Sequence, residues 1–291
     1  MSIDITIKQK LFGNKTIPLD VILGESLCYG RFENDHLIPG ELGDGEFIAY
    51  CPDAIGRGFS VVWNPREKKR IELRLPQPST AHELKLLYAA VERICRYWQG
   101  KLTVDGNAVS LPSFLDGLDD MVAFNDRWLQ QLCWQILNGE SDSWTLFSAL
   151  FPVDMGREEA ERFSADPKAY GDWLHEKQSV EARFGAPAFY NTENGITGVF
   201  FITSDIPYLL PKTPDVPFGM MDPITRKPLQ CSLWRVAIML ENGSEPVADM
   251  AYDAFVEHIP REMRKKFDNK RFLSPSFSQK ELETLAESCK M

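Results

Sequence analysis

The four histidines and six cysteines of this chain are the side chains best suited to bind a metal or to act as nucleophiles, but their spacing matches no signature for either chemistry. His36, His82, His175 and His258 lie far apart, and none has a second histidine or a cysteine at helical ligand spacing. No Cys-x-x-Cys unit occurs. We therefore predict no metal site and no cofactor, and any catalytic site would have to be assembled by the tertiary fold.

Three acidic residues, Asp249, Asp253 and Glu257, follow one another at i, i+4 and i+8. This spacing predicts that their carboxylates share one face of a helix. Such a face can bind a divalent cation, but sites for hard cations usually draw further oxygen ligands from loops. We interpret the three residues as a solvated acidic face.

Two short segments approach functional motifs without completing them. Residues 40–45 are glycine-rich like a phosphate-binding loop, but no Gly-Lys-Ser/Thr follows, and Glu41 and Asp44 would repel an anion. Residues 24–28 approach the nucleophile elbow, yet Cys28 stands where that motif has a glycine. We interpret both segments as ordinary turns or loops.

The chain is acidic, with 32 lysines and arginines against 42 aspartates and glutamates and a formal net charge of -10. Nucleic acids attract proteins with a dominant positive field, so we do not expect this chain to bind them. One basic cluster runs from Arg261 to Arg271. We interpret this cluster as a solvated polar segment, with contact to RNA or to an acidic partner as the alternative.

Hydrophobic periodicity predicts the elements of the N-terminal half. Apolar residues alternate with polar ones over residues 3–7 and predict a strand, while the runs 59–63 and 70–75 predict a hairpin. Thr80 and Glu83 have the spacing of a capping box, which predicts the start of an amphipathic helix.

Two further elements follow that helix. Runs at 102–104 and 108–111 flank an Asp-Gly-Asn turn and predict a second hairpin. Residues 119–137 have a helical pattern whose apolar residues spread around most of the circumference, which predicts a mostly buried helix. Cys95 and Cys133 fall inside these helical patterns, where we interpret them as core residues.

Taken together, the elements predict an α+β fold with mainly antiparallel sheets, packed helices and two subdomains. Residues 1–150 are expected to form an N-terminal sheet with two long helices, and residues 151–185 a helical connector. Residues 186–291 are expected to form a smaller C-terminal α+β domain. Its predicted strands are 186–190, 196–203 and 233–240, and its last helix starts at a capping box formed by Ser278 and Glu281.

Six prolines fall within residues 205–230 of the C-terminal domain. Because proline lacks a backbone N–H, we predict a long irregular loop here, neither helix nor central strand. Long loops in compact domains are often functional. Packing over a neighbouring domain is the plainest interpretation, and a subunit contact or a lid on a pocket are the alternatives. The candidate binding residues on this loop are Pro211, Lys212, Asp215, Phe218, Met220, Met221 and Asp222.

The chain contains no run of the roughly 20 apolar residues that a membrane-spanning helix needs. Near its start, Asp4, Lys8 and Lys10 interrupt the apolar stretch that a signal peptide would require. We therefore predict a cytoplasmic protein that does not enter membranes.

Four segments carry a family resemblance. They are Met1-Ser2-Ile3-x-Ile5-x-Ile7-Lys8, Leu75-Pro76-x-Pro78-Ser79-Thr80-x-x-Glu83-Leu84, and Leu210-Pro211-Lys212 together with Asp222-Pro223. They resemble an uncharacterised bacterial family of similar length, and the resemblance covers nearly the whole chain. It implies a bacterial cytoplasmic protein, with no assigned activity and no functional residues to transfer.

Because no catalytic motif is recognisable, our first hypothesis is a non-catalytic binding or interaction protein that meets an unknown protein partner or self-associates. The alternative is a hydrolase-like enzyme whose site combines distant carboxylates with His258 beneath the loop at 205–230. A deep pocket lined by several titratable groups with shifted pKa values would argue for the enzyme.

Overall fold

The structure is a computed structural model that describes residues 1–10, 13–33, 36–43, 45–64, 69–193, 195–222, 225–240 and 245–288. The chain divides into two compact units, Met1–Val180 and Glu181–Met291. Both contain helices and mostly antiparallel sheets, so the predicted α+β class is confirmed.

The first unit carries one large sheet. The strands of this unit are β1 (Ser2–Lys8), β2 (Cys28–Glu33), β3 (His36–Pro39), β4 (Glu46–Tyr50), β5 (Phe59–Val62), β6 (Arg70–Pro76), β7 (Lys101–Val104), β8 (Asn107–Val109), β9 (Trp144–Leu146) and β10 (Val153–Met155). Its helices are α1 (Leu19–Leu23), α2 (Ala81–Trp98), α3 (Leu111–Asp116), α4 (Leu118–Leu137), α5 (Arg157–Ala165) and α6 (Ala169–Gln178). The sheet order is β3-β2-β4-β5-β6-β1-β7-β8, and β9 pairs separately with β10.

One face of the large sheet is buried against α2. Along β1, the side chains of Ile3, Ile5 and Ile7 are buried and point to the same side, because successive strand residues alternate. Apolar residues of α2 between Leu84 and Trp98 join them in one core. Each large apolar side chain buried here stabilises the fold by about 1.5–3 kcal/mol. This layer covers one face of the sheet. We call the opposite face of the sheet the outer face.

Several sequence predictions for this unit are confirmed. The strand over residues 3–7 is β1, and the runs at 59–63 and 70–75 pair as β5 and β6, although the turn residues 65–68 lie outside the described part of the chain. Thr80 and Glu83 form the predicted capping box at the start of α2. The second hairpin is β7 with β8.

The prediction that the helix at 119–137 is mostly buried is wrong. This helix, α4, buries one side through residues such as Asn125, Leu129 and Leu132. On its other side Phe124 is 38% exposed and Trp134 is 49% exposed. Apolar residues around the whole circumference therefore do not mean burial here, because the helix packs along one stripe only.

Cys95 in α2 and Cys133 in α4 are core residues, as predicted. Burial raises the pKa of each thiol to about 11. Both thiols therefore stay protonated near neutral pH, which suits packing and not nucleophilic chemistry.

Residues 151–180 belong to the first compact unit and contribute β10, α5 and α6 to it. None of the helices in the described part of the chain is both long and apolar enough to cross a membrane.

The second unit contains two four-stranded sheets, in the orders β11-β14-β18-β17 and β12-β13-β15-β16. Its strands are β11 (Arg183–Phe184), β12 (Ala188–Thr192), β13 (Gly195–Ile202), β14 (Tyr208–Pro211), β15 (Leu233–Ile238), β16 (Ala248–Ala251), β17 (Lys265–Lys266) and β18 (Arg271–Leu273). Its helices are α7 (Tyr252–His258) and α8 (Gln279–Ser288). Ser278 and Glu281 cap α8, as predicted.

The predicted irregular loop at 205–230 is wrong for its first part. Tyr208–Pro211 forms β14, a central strand that pairs with β11 on one side and β18 on the other. Pro207 precedes this strand and Pro211 ends it, so the backbone N–H groups of Leu209 and Leu210 remain available to the sheet. Both leucines are fully buried. Prolines at the ends of a short strand are therefore compatible with a central position.

Candidate functional site

The chain segment that links β6 to α2 is fastened by a buried asparagine. Asn125 of α4 accepts a hydrogen bond from the backbone N–H of Ser79 through Oδ1 and donates one from Nδ2 to the Ser79 carbonyl, each 2.7 Å long. The Gln77–Pro78 peptide bond just before it is cis. Asn125 thus pairs both backbone groups of one residue in a place that water does not reach.

Glu83 connects this segment to a second loop. Its Oε2 accepts from the Thr80 N–H at 2.9 Å, which completes the capping box, and its Oε1 accepts from the Gly58 N–H at 2.6 Å. A Cβ at Gly56 would lie 2.4 Å from the Glu83 carboxylate. Residue 56 must therefore be glycine for the carboxylate to occupy this position. Burial raises the pKa of Glu83, because a carboxylate loses hydration there.

Arg57 lies between Gly56 and Gly58 on the same loop, and only 8% of it is exposed. Its Nε donates to the Phe147 carbonyl at 2.9 Å, and its Nη1 donates to the Pro78 carbonyl at 3.2 Å. Burial lowers the pKa of Arg57. Within the described residues its Nη2 donates no hydrogen bond and its guanidinium forms no ion pair, so Glu83 acts on it only through space.

Tyr170 of α6 completes this buried cluster. Its hydroxyl donates to the Pro78 carbonyl at 3.0 Å, so one carbonyl accepts from both Tyr170 and Arg57. Burial raises the pKa of Tyr170 far above its ordinary value, so the hydroxyl stays protonated and acts as a donor. We call Arg57, Glu83 and Tyr170 the Arg57 cluster.

Arg57 also lines a cavity of about 620 Å³ on the outer face of the large sheet. The floor is a row of residues in register across three strands: Ile48 of β4 faces Ser60 of β5, which faces Arg74 of β6. Phe147 bounds the cavity from the segment after β9. The site therefore has an apolar body with a buried cation at one end.

The other two arginines that line this cavity are paired with acidic neighbours. Arg31 pairs with Glu33 and with Glu41, and Arg74 pairs with Asp4 at 2.8 Å. These pairs are partly or well exposed, so solvent screens them. Arg57 alone combines a buried charge with a donor group free of hydrogen bonds among the described residues.

The Arg57 cluster contributes a single side chain to the cavity. Of the Arg57 cluster, only Arg57 lines the cavity, and neither a histidine nor a cysteine appears among the described residues around it. Glu83 lies behind Arg57, with both carboxylate oxygens engaged by backbone N–H groups. The acidic residue that lines the cavity is Glu46, which is exposed.

The raised pKa of Glu83 has a consequence for stability. In the folded chain this carboxyl holds its proton to a higher pH than in the unfolded chain, so the folded state binds more protons in that interval. The stabilisation from this group is complete below the unfolded pKa and is lost as the pH rises through the folded pKa.

We therefore expect the wild-type free energy of unfolding to fall, relative to that of Glu83→Gln, as pH rises from 4.5, the ordinary pKa of a glutamate, into the neutral range. Urea unfolding at constant ionic strength measures both proteins across this range. A difference between them that stays flat, or that grows with pH, would contradict the raised pKa of Glu83.

His258, the residue named in the hydrolase hypothesis, lies in the second unit. It lines a separate cavity of about 690 Å³ together with residues of α8 such as Lys280 and Glu281. Its Nδ1 lies 2.7 Å from the Ala254 carbonyl, so that nitrogen donates and Nε2 is left as the acceptor in the neutral ring. None of the described residues of the loop, 205–222 and 225–230, lines this cavity.

The expected acidic face of Asp249, Asp253 and Glu257 is wrong. Asp249 belongs to the strand β16, and α7 begins only at Tyr252. Both oxygens of the Asp249 carboxylate accept from Nε of Arg235, at 2.6 and 2.8 Å. The i, i+4 spacing wrongly predicted a single helix, because the chain changes from strand to helix between Asp249 and Asp253.

The basic cluster between Arg261 and Arg271 is divided among several local contacts. Arg264 donates to the Ile259 carbonyl at 2.8 Å, and Arg271 pairs with the fully buried Asp268 at 3.2 Å.

Within the described part of the chain, no group of three or more histidine, cysteine, aspartate or glutamate residues is placed to hold a metal ion.

The seven candidate residues on the proline-rich segment line neither of these two cavities. Pro211 ends β14, and its carbonyl accepts from the Tyr252 hydroxyl; Lys212 donates to the carbonyls of Asp268 and Asn269. Phe218 is 85% exposed. A binding role for this segment remains a prediction. The other four candidates, Asp215, Met220, Met221 and Asp222, are partly or largely exposed.

Sequence reasoning missed Arg57 altogether. Its only local signal is its position between two glycines, a pattern that is common in turns. Its partners Phe147, Pro78 and Tyr170 are far away in sequence, so only the folded chain shows that its charge is buried.

A family model for a domain of unknown function (DUF4299) matches residues 2–285. No curated protein and no solved structure was found to match the chain.

Proposed function

We propose that this chain, which belongs to the family described as a domain of unknown function (DUF4299), is a binding protein whose first unit holds a small organic anion against Arg57. One observation carries the proposal. Arg57 is only 8% exposed, its guanidinium forms no ion pair among the described residues, and it lines a cavity large enough for a small molecule.

The energetics of buried charge support this assignment. A buried cation without a close counter-ion is costly, by several kcal/mol even after relaxation of its surroundings. Two backbone carbonyls satisfy part of the guanidinium, but carbonyl dipoles do not neutralise its charge. An anion in the cavity adds both the missing charge and an acceptor for Nη2.

The rigidity of the site also supports binding. The Glu83 carboxylate accepts from the Gly58 N–H of the Arg57 loop, and the carbonyls of Pro78 and Phe147 accept from the Arg57 side chain. Asn125 holds the segment that carries Pro78. A cation that is fixed before the ligand arrives loses little side-chain entropy on binding.

The proposal is tested by thermal unfolding of the full chain at constant ionic strength. Tm is measured with small carboxylic acids and, for comparison, with the neutral amide of each acid. We expect some acids to raise Tm while their amides do not, because ligands that bind only the folded state stabilise it. Equal shifts by acid and amide, or no shift by any acid, would contradict anion binding. This comparison uses the wild-type chain alone, so it does not depend on whether an Arg57 variant folds.

Exchange of Arg57 for glutamine should abolish the acid-dependent shift, and Arg70→Gln should retain it. Arg70 is the control because it is an arginine of the same unit that is exposed, pairs with Glu72 and lies outside the cavity. An acid-dependent shift that persists in folded Arg57→Gln would place the anion elsewhere.

We also propose that the protein works in the cytoplasm. The described cysteines are all free thiols, and Cys51, Cys95 and Cys133 are buried. Free buried thiols are typical of proteins from reducing compartments.

A further inference from the structure

We infer that the anion held by Arg57 is a monocarboxylate with an aromatic or branched aliphatic body; the inference rests on the anion-binding function proposed above. Three features of the cavity indicate this ligand class: the donors left on Arg57, the charges around the rim and the apolar walls.

The donors of Arg57 suit a single carboxylate. One N–H of Nε and one of Nη1 are engaged by the carbonyls of Phe147 and Pro78, which leaves the second N–H of Nη1 and the two N–H groups of Nη2 for a ligand. The Ser60 hydroxyl lines the same cavity and can supply one further donor. A phosphate group presents more oxygens and more charge than these few donors can satisfy, whereas a carboxylate has only two oxygens.

The rim disfavours anions of higher charge. Arg31 and Arg74 are paired with acidic residues, so they add little net positive field. Glu46 also lines the cavity and is exposed. In a chain of net charge -10, a second negative charge on the ligand would be repelled.

The walls suit an apolar body. Phe32 and Phe147 are each 37% exposed and line the same cavity, where Ile48 and Pro76 add aliphatic surface. Aromatic rings that stay partly exposed around a cavity gain most when a ligand covers them. The volume of about 620 Å³ accommodates a six-membered ring with a short acid chain.

Titration calorimetry of the full chain separates the two levels of the proposal. The probes are 3-phenylpropionate, 4-methylpentanoate, acetate, inorganic phosphate and 3-phenylpropionamide. We expect the first two to bind at least about tenfold more tightly than acetate or phosphate, because only they bury apolar surface. The amide is expected to bind at least about tenfold more weakly than 3-phenylpropionate, because it forms no charge-assisted bond.

Each outcome of these titrations has a distinct meaning. Phosphate or acetate binding as tightly as the two apolar acids would overturn the inferred ligand class and leave anion binding standing. Amide binding equal to that of its acid, or no binding by any anion, would overturn the proposed function as well.

A wall variant tests the apolar part without touching the cation. Phe147→Ala should weaken 3-phenylpropionate binding by about five- to thirtyfold and change acetate binding little, because the backbone carbonyl that holds Arg57 remains. The matched control is Phe124→Ala, a similarly exposed aromatic residue on α4, outside the cavity. Unchanged affinity for 3-phenylpropionate in Phe147→Ala would overturn the inference.

Discussion

Replacing Glu83 by alanine is expected to lower the free energy of unfolding by about 3–5 kcal/mol, as removal of one member of a buried charged network typically does. The carboxylate accepts from the N–H groups of Thr80 and Gly58 and faces the buried charge of Arg57. Alanine would leave the buried Gly58 N–H and the partly buried Thr80 N–H without their acceptor. Urea unfolding, followed by circular dichroism, measures the change.

The control is Glu92→Ala on the same helix. Glu92 forms a surface pair with Arg96, so its removal should change the free energy of unfolding by no more than about 0.5 kcal/mol. Glu83→Gln should fall between the two, because an amide offers one acceptor oxygen where the carboxylate offers two. Equal effects of Glu83→Ala and Glu92→Ala would show that Glu83 is a surface cap and no part of a buried cluster.

Asn125→Ala is expected to lower the free energy of unfolding by about 2–4 kcal/mol, since it leaves two buried backbone groups unpaired at about 1–3 kcal/mol each. Those groups are the N–H and carbonyl of Ser79, in the segment between β6 and α2, and both are hydrogen-bonded to Asn125 of α4. Because Ser79 follows Pro78, whose carbonyl accepts from Arg57, the variant should also weaken any anion bound at Arg57.

Asn138→Ala is the comparison for this second variant. Asn138 ends the same helix, is exposed, and donates only to the Trp134 carbonyl one turn earlier. Its loss should change the free energy of unfolding by less than about 1 kcal/mol. A small effect of Asn125→Ala, similar to that of Asn138→Ala, would contradict a structural role for the two hydrogen bonds between Asn125 and Ser79.

The capping box at Thr80 and Glu83 shows what local sequence can predict. Its spacing indicated both the start of α2 and the bond from Glu83 back to Thr80, because those contacts span three residues. The second bond of Glu83, to Gly58, spans 25 residues. No local pattern encodes it, so the sequence predicted a cap where the structure has the centre of a buried cluster.

The errors share a physical cause. The spacing of Asp249 and Asp253 was interpreted as helical, although a strand ends between them, and Pro207 and Pro211 were interpreted as barring a strand that they only flank. Periodicity reports local preference, whereas strand pairing depends on distant partners such as β18 for β14. Arg57 was missed for the same reason, because its burial depends on residues from three distant segments.

The position of a bound acid tests the central claim most directly. A crystal structure of the full chain with 3-phenylpropionate should show one carboxylate oxygen within about 3 Å of Nη2 of Arg57. Its ring should lie between Phe32 and Phe147 on the outer face of the sheet. A carboxylate bound only to the rim arginines Arg31 or Arg74, or an acid bound outside this cavity, would contradict the claim that Arg57 anchors the ligand.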